Sequence, residues 1–293
     1  MSWADSNAWA DSDGFTLCGI GDEAGAALAD QTTALTTLGW SAIELRSVDG
    51  TALADLDDAA FDRLTDHLAD AGLRVACVDS RIANWARPVT ADLKDDLREL
   101  EILAGRCARL GTRMIRVMSY PNDGLAETEW RAEVFRRLAE LTARAEDAGV
   151  VLVHENCAGW AASRADRMLE LLDHLDSPAF RLLFDIGNGV AYGYEAYDLL
   201  PDIAPFVAHV HIKDALGTSE ETRYTLPGQG RCRVVDAVRL LRDQGYAGFL
   251  SIEPHLSVRP HEGGTAPDGG LVAEFVAYGR ELERLLAGHG TGA

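Results

Sequence analysis

Four short apolar runs in this 293-residue chain each end in a side chain that binds metal ions. They read Val150-Val151-Leu152-Val153-His154-Glu155, Leu182-Leu183-Phe184-Asp185, Phe206-Val207-Ala208-His209-Val210-His211 and Phe249-Leu250-Ser251-Ile252-Glu253. β-Branched and aromatic runs of this length read as buried parallel strands, and the closing residue sits at the strand's carboxyl end. In a closed barrel those ends converge on one rim, where active sites are built. Glu155, Asp185, His211 and Glu253 would then surround one divalent cation. Taken singly, a carboxylate at a strand end is equally well an ion-pair partner or a loop cap, and a lone His211 is more often a satisfied polar residue than a ligand; four on consecutive strands form a set. Three carboxylates and one imidazole make a hard, oxygen-rich site that suits Mn²⁺ best and would also take Co²⁺, Mg²⁺ or Zn²⁺. Such a cation would hold two substrate oxygens and act as Lewis acid and template.

The elements that must position these residues alternate along the chain. Strand patterns fall at 16–20, 42–46, 74–78, 114–118, 150–155, 181–185, 207–212 and 248–253. Amphipathic helical patterns lie between them at 29–38, 61–71, 91–110, 129–148, 164–175, 234–244 and 271–286. Gly39, Gly72, Gly111, Gly149 and Gly245 follow helical stretches as stop signals, each just before the next strand. Eight such units predict a single (β/α)₈ TIM barrel over residues 15–293, with the active site at the C-terminal rim. No G-x-G-x-x-G follows the first strand and no G-x-x-x-x-G-K-[ST] occurs, so dinucleotide and P-loop chemistry lack support.

Composition narrows the partners. A 47% hydrophobic content is enough to fill a barrel core, and no run of 18 apolar residues predicts a membrane span. A formal charge of −20 repels a phosphate backbone and argues against nucleic acid. Residues 1–14 lack the basic start and apolar middle of a secretory signal. They read as a flexible acidic lead-in, whose Trp3 and Trp9 could dock on the body or on a partner. The five scattered cysteines read as buried thiols of a reduced, cytoplasmic protein.

The phrases His154-Glu155-Asn156, Phe184-Asp185-Ile186-Gly187-Asn188, His209-Val210-His211-Ile212-Lys213-Asp214-Ala215 and Gly245-Tyr246-Ala247-Gly248-Phe249-Leu250-Ser251-Ile252-Glu253-Pro254-His255 carry a resemblance. So do Gly21-Asp22-Glu23-Ala24, Ile43-Glu44-Leu45-Arg46 and Ile82-Ala83-Asn84-Trp85. Together they resemble the xylose-isomerase-like TIM-barrel superfamily, within it the sugar phosphate isomerase/epimerase group, relatives of ketose 3-epimerases and inosose dehydratases. The resemblance implies that Glu155, Asp185, His211 and Glu253 are metal ligands, and that Glu155 and Glu253 also act as acid and base. It implies a small sugar or polyol substrate, proton abstraction and return through a metal-stabilised enediolate, and a homo-oligomer. The chain departs from the epimerases at Asn188, where they have histidine, and at Gly228-Gln229-Gly230, where related sequences often carry Gly-Glu-Gly.

Further rim residues have two readings each. Lys213 shares His211's strand face and would bind a substrate oxygen, serve as a general acid, or pair with a rim carboxylate. Glu44 and Arg46 would contact substrate or pair structurally. Trp85 and Trp160 would wall a sugar face or pack at the surface. Asn188 and His255 are further substrate-contact candidates. His154 should point away from the pocket, and His209 should lie one layer below His211. Arg81 and Arg116 are the cations available to a phosphate. The favoured activity is a divalent-metal isomerase or epimerase; the alternative is a dehydratase or other lyase, including elimination of a sugar–aglycone bond. An abasic-site endonuclease would need more rim histidines and a basic face.

Overall fold

Eight parallel strands build the wall of the molecule: β1 Thr16–Gly19, β2 Ala42–Leu45, β3 Arg74–Asp79, β4 Met114–Ser119, β5 Val151–Gly159, β6 Phe180–Asp185, β7 Val207–Ile212 and β8 Phe249–Ile252. The computed structural model describes residues 14–257 and 270–289. Residues 1–13 of the expected lead-in, with Trp3 and Trp9, lie outside them. Hydrogen bonding runs in the order β1-β8-β7-β6-β5-β4-β3-β2. A parallel bridge between Ile20 and Glu44 joins the two ends, so the sheet closes nearly into a barrel. The expected (β/α)₈ architecture is therefore the observed one, and no helix among the described residues is long and apolar enough to cross a membrane.

Strand alternation explains how an apolar barrel acquires a polar mouth. Cys77, Val151, Val153, Leu183 and Ala208 pack as one buried cluster. Two residues beyond Val153 the same face of β5 carries Glu155, and two beyond Leu183 the same face of β6 carries Asp185. Opposite faces turn outward: Leu152, Phe180, Leu182 and Phe184 join the larger core beneath the helices. Register fixes the heights, with Asp185 beside His211 and His211 beside Ser251.

The helices begin and end on capping chemistry. Asp57 accepts from the Ala60 amide at the head of Asp58–Asp70, and Asp92 accepts from the Lys94 amide at the head of Leu93–Leu110. Gly39, Gly111 and Gly149 close their helices in the left-handed conformation. Expected starts at 61 and 129 fall late, because the first turns from Asp58 and Glu127 are polar or short-chained and carry no apolar period. Several short elements escaped the sequence reading, among them an antiparallel hairpin of Asp214–Gly217 with Thr222–Thr225, placed directly after β7.

His154 faces outward from β5, as alternation predicts, with its ring stacked on Phe180. Neither ring nitrogen has a hydrogen-bond partner, and burial lowers its pKa to about 4. The folded state thus holds a neutral imidazole that the unfolded chain would protonate near pH 6.5. Stability from this site is intact above that pH and drains away as pH falls from about 6.5 to about 4, by up to about 3 kcal/mol. Denaturant titrations of wild type and His154→Leu at pH 7 and pH 4.5 should show a smaller acid loss in the variant; equal losses would contradict this account.

Candidate metal centre and active site

Glu155, Asp185, His211 and Glu253 are all buried, and one ligand atom from each lies within 4.8 Å of the others. His211 Nδ1 stands 3.7 Å from Glu155 Oε1, 3.7 Å from Asp185 Oδ2 and 3.5 Å from Glu253 Oε2. Asp185 Oδ2, Glu253 Oε2 and His211 Nδ1 enter no well-formed hydrogen bond, although Lys213 Nζ approaches the two oxygens at 3.0 and 2.6 Å. Convergent, under-satisfied oxygens with one imidazole nitrogen are the donor set a small divalent cation requires.

Each of the four candidate ligands is held from behind. Asp185 uses Oδ1 to accept the amides of Gly187 and Asn188, both at 2.7 Å, which turns Oδ2 inward. Asn156 clamps the Asp185 backbone by donating to its carbonyl at 2.8 Å and accepting its amide at 2.6 Å. Glu155 receives Asn188 Nδ2 on Oε1 at 2.9 Å and Arg116 Nη1 on Oε2 at 3.2 Å. Glu253 receives Arg46 Nη1 on Oε1 at 2.8 Å. Each glutamate therefore keeps one oxygen toward the centre and one on an arginine.

Behind His211 lies Glu44, which is fully buried. Its carboxylate accepts from His209 Nε2 at 2.9 Å and from His211 Nε2 at 3.1 Å. Burial alone would raise the Glu44 carboxyl, yet the two imidazoles hold it well below the usual range. An ionised carboxylate only accepts, so Nε2 carries the proton and Nδ1 of His211 is the atom turned to the centre. Glu44 does not reach the cavity. The expectation of a substrate contact at Glu44 is corrected: it was the pairing alternative that the fold uses, because the inward face of β2 points at the imidazole layer beneath the rim.

Arg46 does line the cavity, but its guanidinium is engaged by Asp22, Glu23 and Glu253. Glu23 also accepts the His255 amide on Oε2 at 3.0 Å, while its Oε1 lies 3.0 Å from the His255 ring. His255, in a left-handed conformation at φ 51°, is thereby held over the mouth, edge-on to Tyr224. Asn188 bridges the site, accepting from Lys213 Nζ at 2.9 Å while donating to Glu155. Lys213 is buried, and burial, which lowers its pKa, is outweighed by Asp185 and Glu253, which raise it well above the ordinary value. Gly187 makes room for the lysine stem: a Cβ there would lie 2.7 Å from Lys213 Cβ. Trp85 is 38% exposed and lines the cavity, whereas Trp160 is buried against Phe135 beneath the helices, away from the site. Arg116 is tied to Glu155, and Arg81 to Asp55 and Glu99.

The resulting cavity has a volume of about 570 Å³, with Met118, Cys157, Tyr192 and Tyr224 completing its walls. Burial would raise the Glu155 carboxyl, but Arg116 and then His211 bring it down to about 2. Glu253 is held well below the usual range by Lys213 and His255 against the same burial. Both glutamates are thus ionised at neutral pH, ready to ligate and to accept protons. Sequence reasoning missed the Glu23–His255 pair, the Asn156 clamp and the cavity-facing hairpin. The only sequence signal for the first two was that Glu23 and Asn156 sat inside the family-like phrases.

The sequence matches the Xylose isomerase-like TIM barrel family over residues 33–271. The chain belongs to that family. An inosose dehydratase from Clostridium perfringens is 29% identical over 144 residues, 44% of this chain and 48% of the relative. A 2-epi-5-epi-valiolone 7-phosphate 2-epimerase from Actinoplanes sp. is 30% identical over 132 residues, 45% of this chain and 47% of the relative. The matches thus span about half the length of these curated relatives. In fold, the chain is similar to the IolI protein, solved with a bound zinc atom, at a TM-score of 0.73 and 17% identity, over 95% of this chain and all of that one.

If Glu44 orients His211 as a ligand, Glu44→Gln should weaken Mn²⁺ binding by about 10- to 100-fold. Titration calorimetry on metal-stripped protein measures this directly. Unchanged affinity, with the fold intact by circular dichroism, would remove Glu44 from the metal's support.

Proposed function

We propose that this chain is a divalent-metal-dependent isomerase or epimerase of a keto sugar or related polyol. The observation carrying this reading is the pair of glutamates, Glu155 from β5 and Glu253 just past β8, in one buried group with Asp185 and His211. Those four residues would hold the cation, Mn²⁺ by the hardness of the donor set, although Zn²⁺, Co²⁺ and Mg²⁺ satisfy the same ligands. When bound, it supplies Lewis-acid polarisation of a carbonyl and its neighbouring hydroxyl.

The chain's own residues then divide the proton work. One of the glutamates takes the proton from the carbon beside the carbonyl, and the other delivers one from its own side, so the centre inverts. Arg116 for Glu155, and Lys213 with His255 for Glu253, keep the carboxylates ionised, while Arg116 and Arg46 fix their direction. Pairing with these cationic side chains weakens them as bases, so the reaction depends on the carbon acid being made more acidic at the same site. Asn188 and Lys213 offer hydrogen bonds to substrate oxygens as they exchange partners, and Trp85, Tyr192 and Tyr224 supply ring faces for the sugar's C–H surface.

The second reading is a dehydratase or other lyase. It is favoured by the similarity to inosose dehydratase and by Lys213, whose Nζ lies 2.6 Å from Glu253 Oε2 and could protonate a leaving oxygen. Ketoses and inososes incubated in deuterated water with Mn²⁺ separate the two: an epimerase washes label into the carbon next to the carbonyl and returns an epimer, whereas a lyase yields an unsaturated ketone. Absence of both with metal bound would overturn the enzyme assignment. Glu155→Gln and Glu253→Gln should each slow label exchange by about 10²-fold or more while losing metal less than activity. Near-normal exchange in either variant would end the two-carboxylate mechanism.

Lys213→Met distinguishes the roles further. In the epimerase, the variant loses substrate positioning, so KM should rise more than kcat falls. In the lyase it loses the acid, and kcat for elimination should fall by about 10²-fold. Steady-state kinetics on whichever substrate exchanges label decides between them.

A further inference from the structure

Among the described residues, the places where this rim could receive an external anion are filled by the chain's own carboxylates. Loops following the seventh and eighth strands of such a barrel are the common seat of a phosphate, because successive backbone N–H groups there form a concave receptor. Here that receptor exists, but it is closed on Asp214. Gly228 and Gly230 donate their amides to Asp214 Oδ2 at 2.8 and 2.9 Å, and Ala215 and Cys232 donate theirs to Oδ1 at 3.0 and 3.1 Å. The fit is tight: a Cβ on Gly230 would stand 2.0 Å from Asp214 Oδ1. A second pair of rim amides, those of Gly187 and Asn188, is taken by Asp185.

Side-chain cations are equally committed. Arg46 serves Asp22, Glu23 and Glu253; Arg116 serves Glu155 and the Ser80 carbonyl; Lys213 serves Asp185, Glu253 and Asn188. Across the mouth, the hairpin tip adds Glu220 and Glu221, both exposed and both lining the cavity. An arriving phosphate would meet acidic groups at the entrance and, among the described residues, arginines and a lysine already neutralised within.

We infer that the site takes an uncharged keto sugar or polyol and rejects its phosphate esters. The inference rests on the proposed function only in taking this cavity as the substrate site. Hydroxyl groups need no net counter-charge and are served by the arrangement seen: carboxylate acceptors, the Asn188 amide and aromatic faces.

Binding tests it independently of turnover. The full-length protein loaded with Mn²⁺ is titrated calorimetrically with D-fructose, D-sorbose and myo-inositol, and with D-fructose 6-phosphate, D-sorbose 6-phosphate and myo-inositol 1-phosphate; inorganic phosphate is the competitor. At least one neutral compound should bind, its ester should bind about tenfold more weakly or worse, and millimolar phosphate should not displace the neutral ligand. Glu220→Gln with Glu221→Gln, at an exposed tip where folding is not at stake, should narrow that gap. An ester binding as tightly as its neutral parent, or no neutral compound binding, overturns the inference. Neutral binding without deuterium exchange supports it while defeating the isomerase reading; exchange on an ester sustains the isomerase reading while defeating this one.

Discussion

Three carboxylates driven into one buried space repel one another, and the rest of this molecule is arranged around that fact. Glu155, Asp185 and Glu253 are each almost wholly removed from water. An isolated buried charge is costly, and removing one partner of a buried pair typically costs about 3–5 kcal/mol. The fold answers with a counter-charge for each: Arg116 for Glu155, Arg46 for Glu253, and Lys213 between Asp185 and Glu253. What remains under-satisfied is the inner face of the cluster, on which the ligand atoms converge. The same inner oxygens that Lys213 contacts are thus the ones the cluster would offer to a cation.

That electrostatic arrangement explains why residues far apart in sequence share one network. Asp22 and Glu23 follow β1, Arg46 follows β2, and Glu253 and His255 follow β8; these neighbours across the barrel's closure meet through Arg46 and the Glu23–His255 contact. Below them, Glu44 joins His209 and His211, so β2 fixes the imidazoles of β7 through the barrel interior. The ring closure marked by the Ile20–Glu44 bridge therefore also supports the site. In the proposed reading, a change that slackened the β1–β2 junction would act on metal affinity as well as on stability.

Much of this was legible in the sequence, and the limits have physical causes. The four ligand candidates could be found because each ends a hydrophobic run, and strand alternation gives such a residue a direction. Lys213 was legible for the same reason, two positions past His211. Glu44 sat equally well in two readings, since sequence shows which face a side chain takes but not the height of its partner across the barrel. The Glu23–His255 contact spans 232 positions and is carried by loops, where no periodicity constrains direction. The Asp214–Gly217 and Thr222–Thr225 hairpin carries little apolar patterning, and its register is set by pairing with itself.

The hairpin also bears on how the proposed selectivity would arise without a change in the candidate metal ligands. Asp214 starts it and at the same time ties down the turn at 228–232, so the segment is braced at its base and left exposed at Glu220 and Glu221. In the proposed reading, four buried donor residues at the ends of β5 to β8 set the charge and geometry of the centre, and so the chemistry available. In the same reading the loops above them would govern which molecules arrive, because they carry the rim amides and the exposed Glu220 and Glu221. Among the described residues, the amides at 187–188 and 228–230 are closed by carboxylates that belong to the protein itself, so an external anion would have to replace the same hydrogen bonds that hold the rim together.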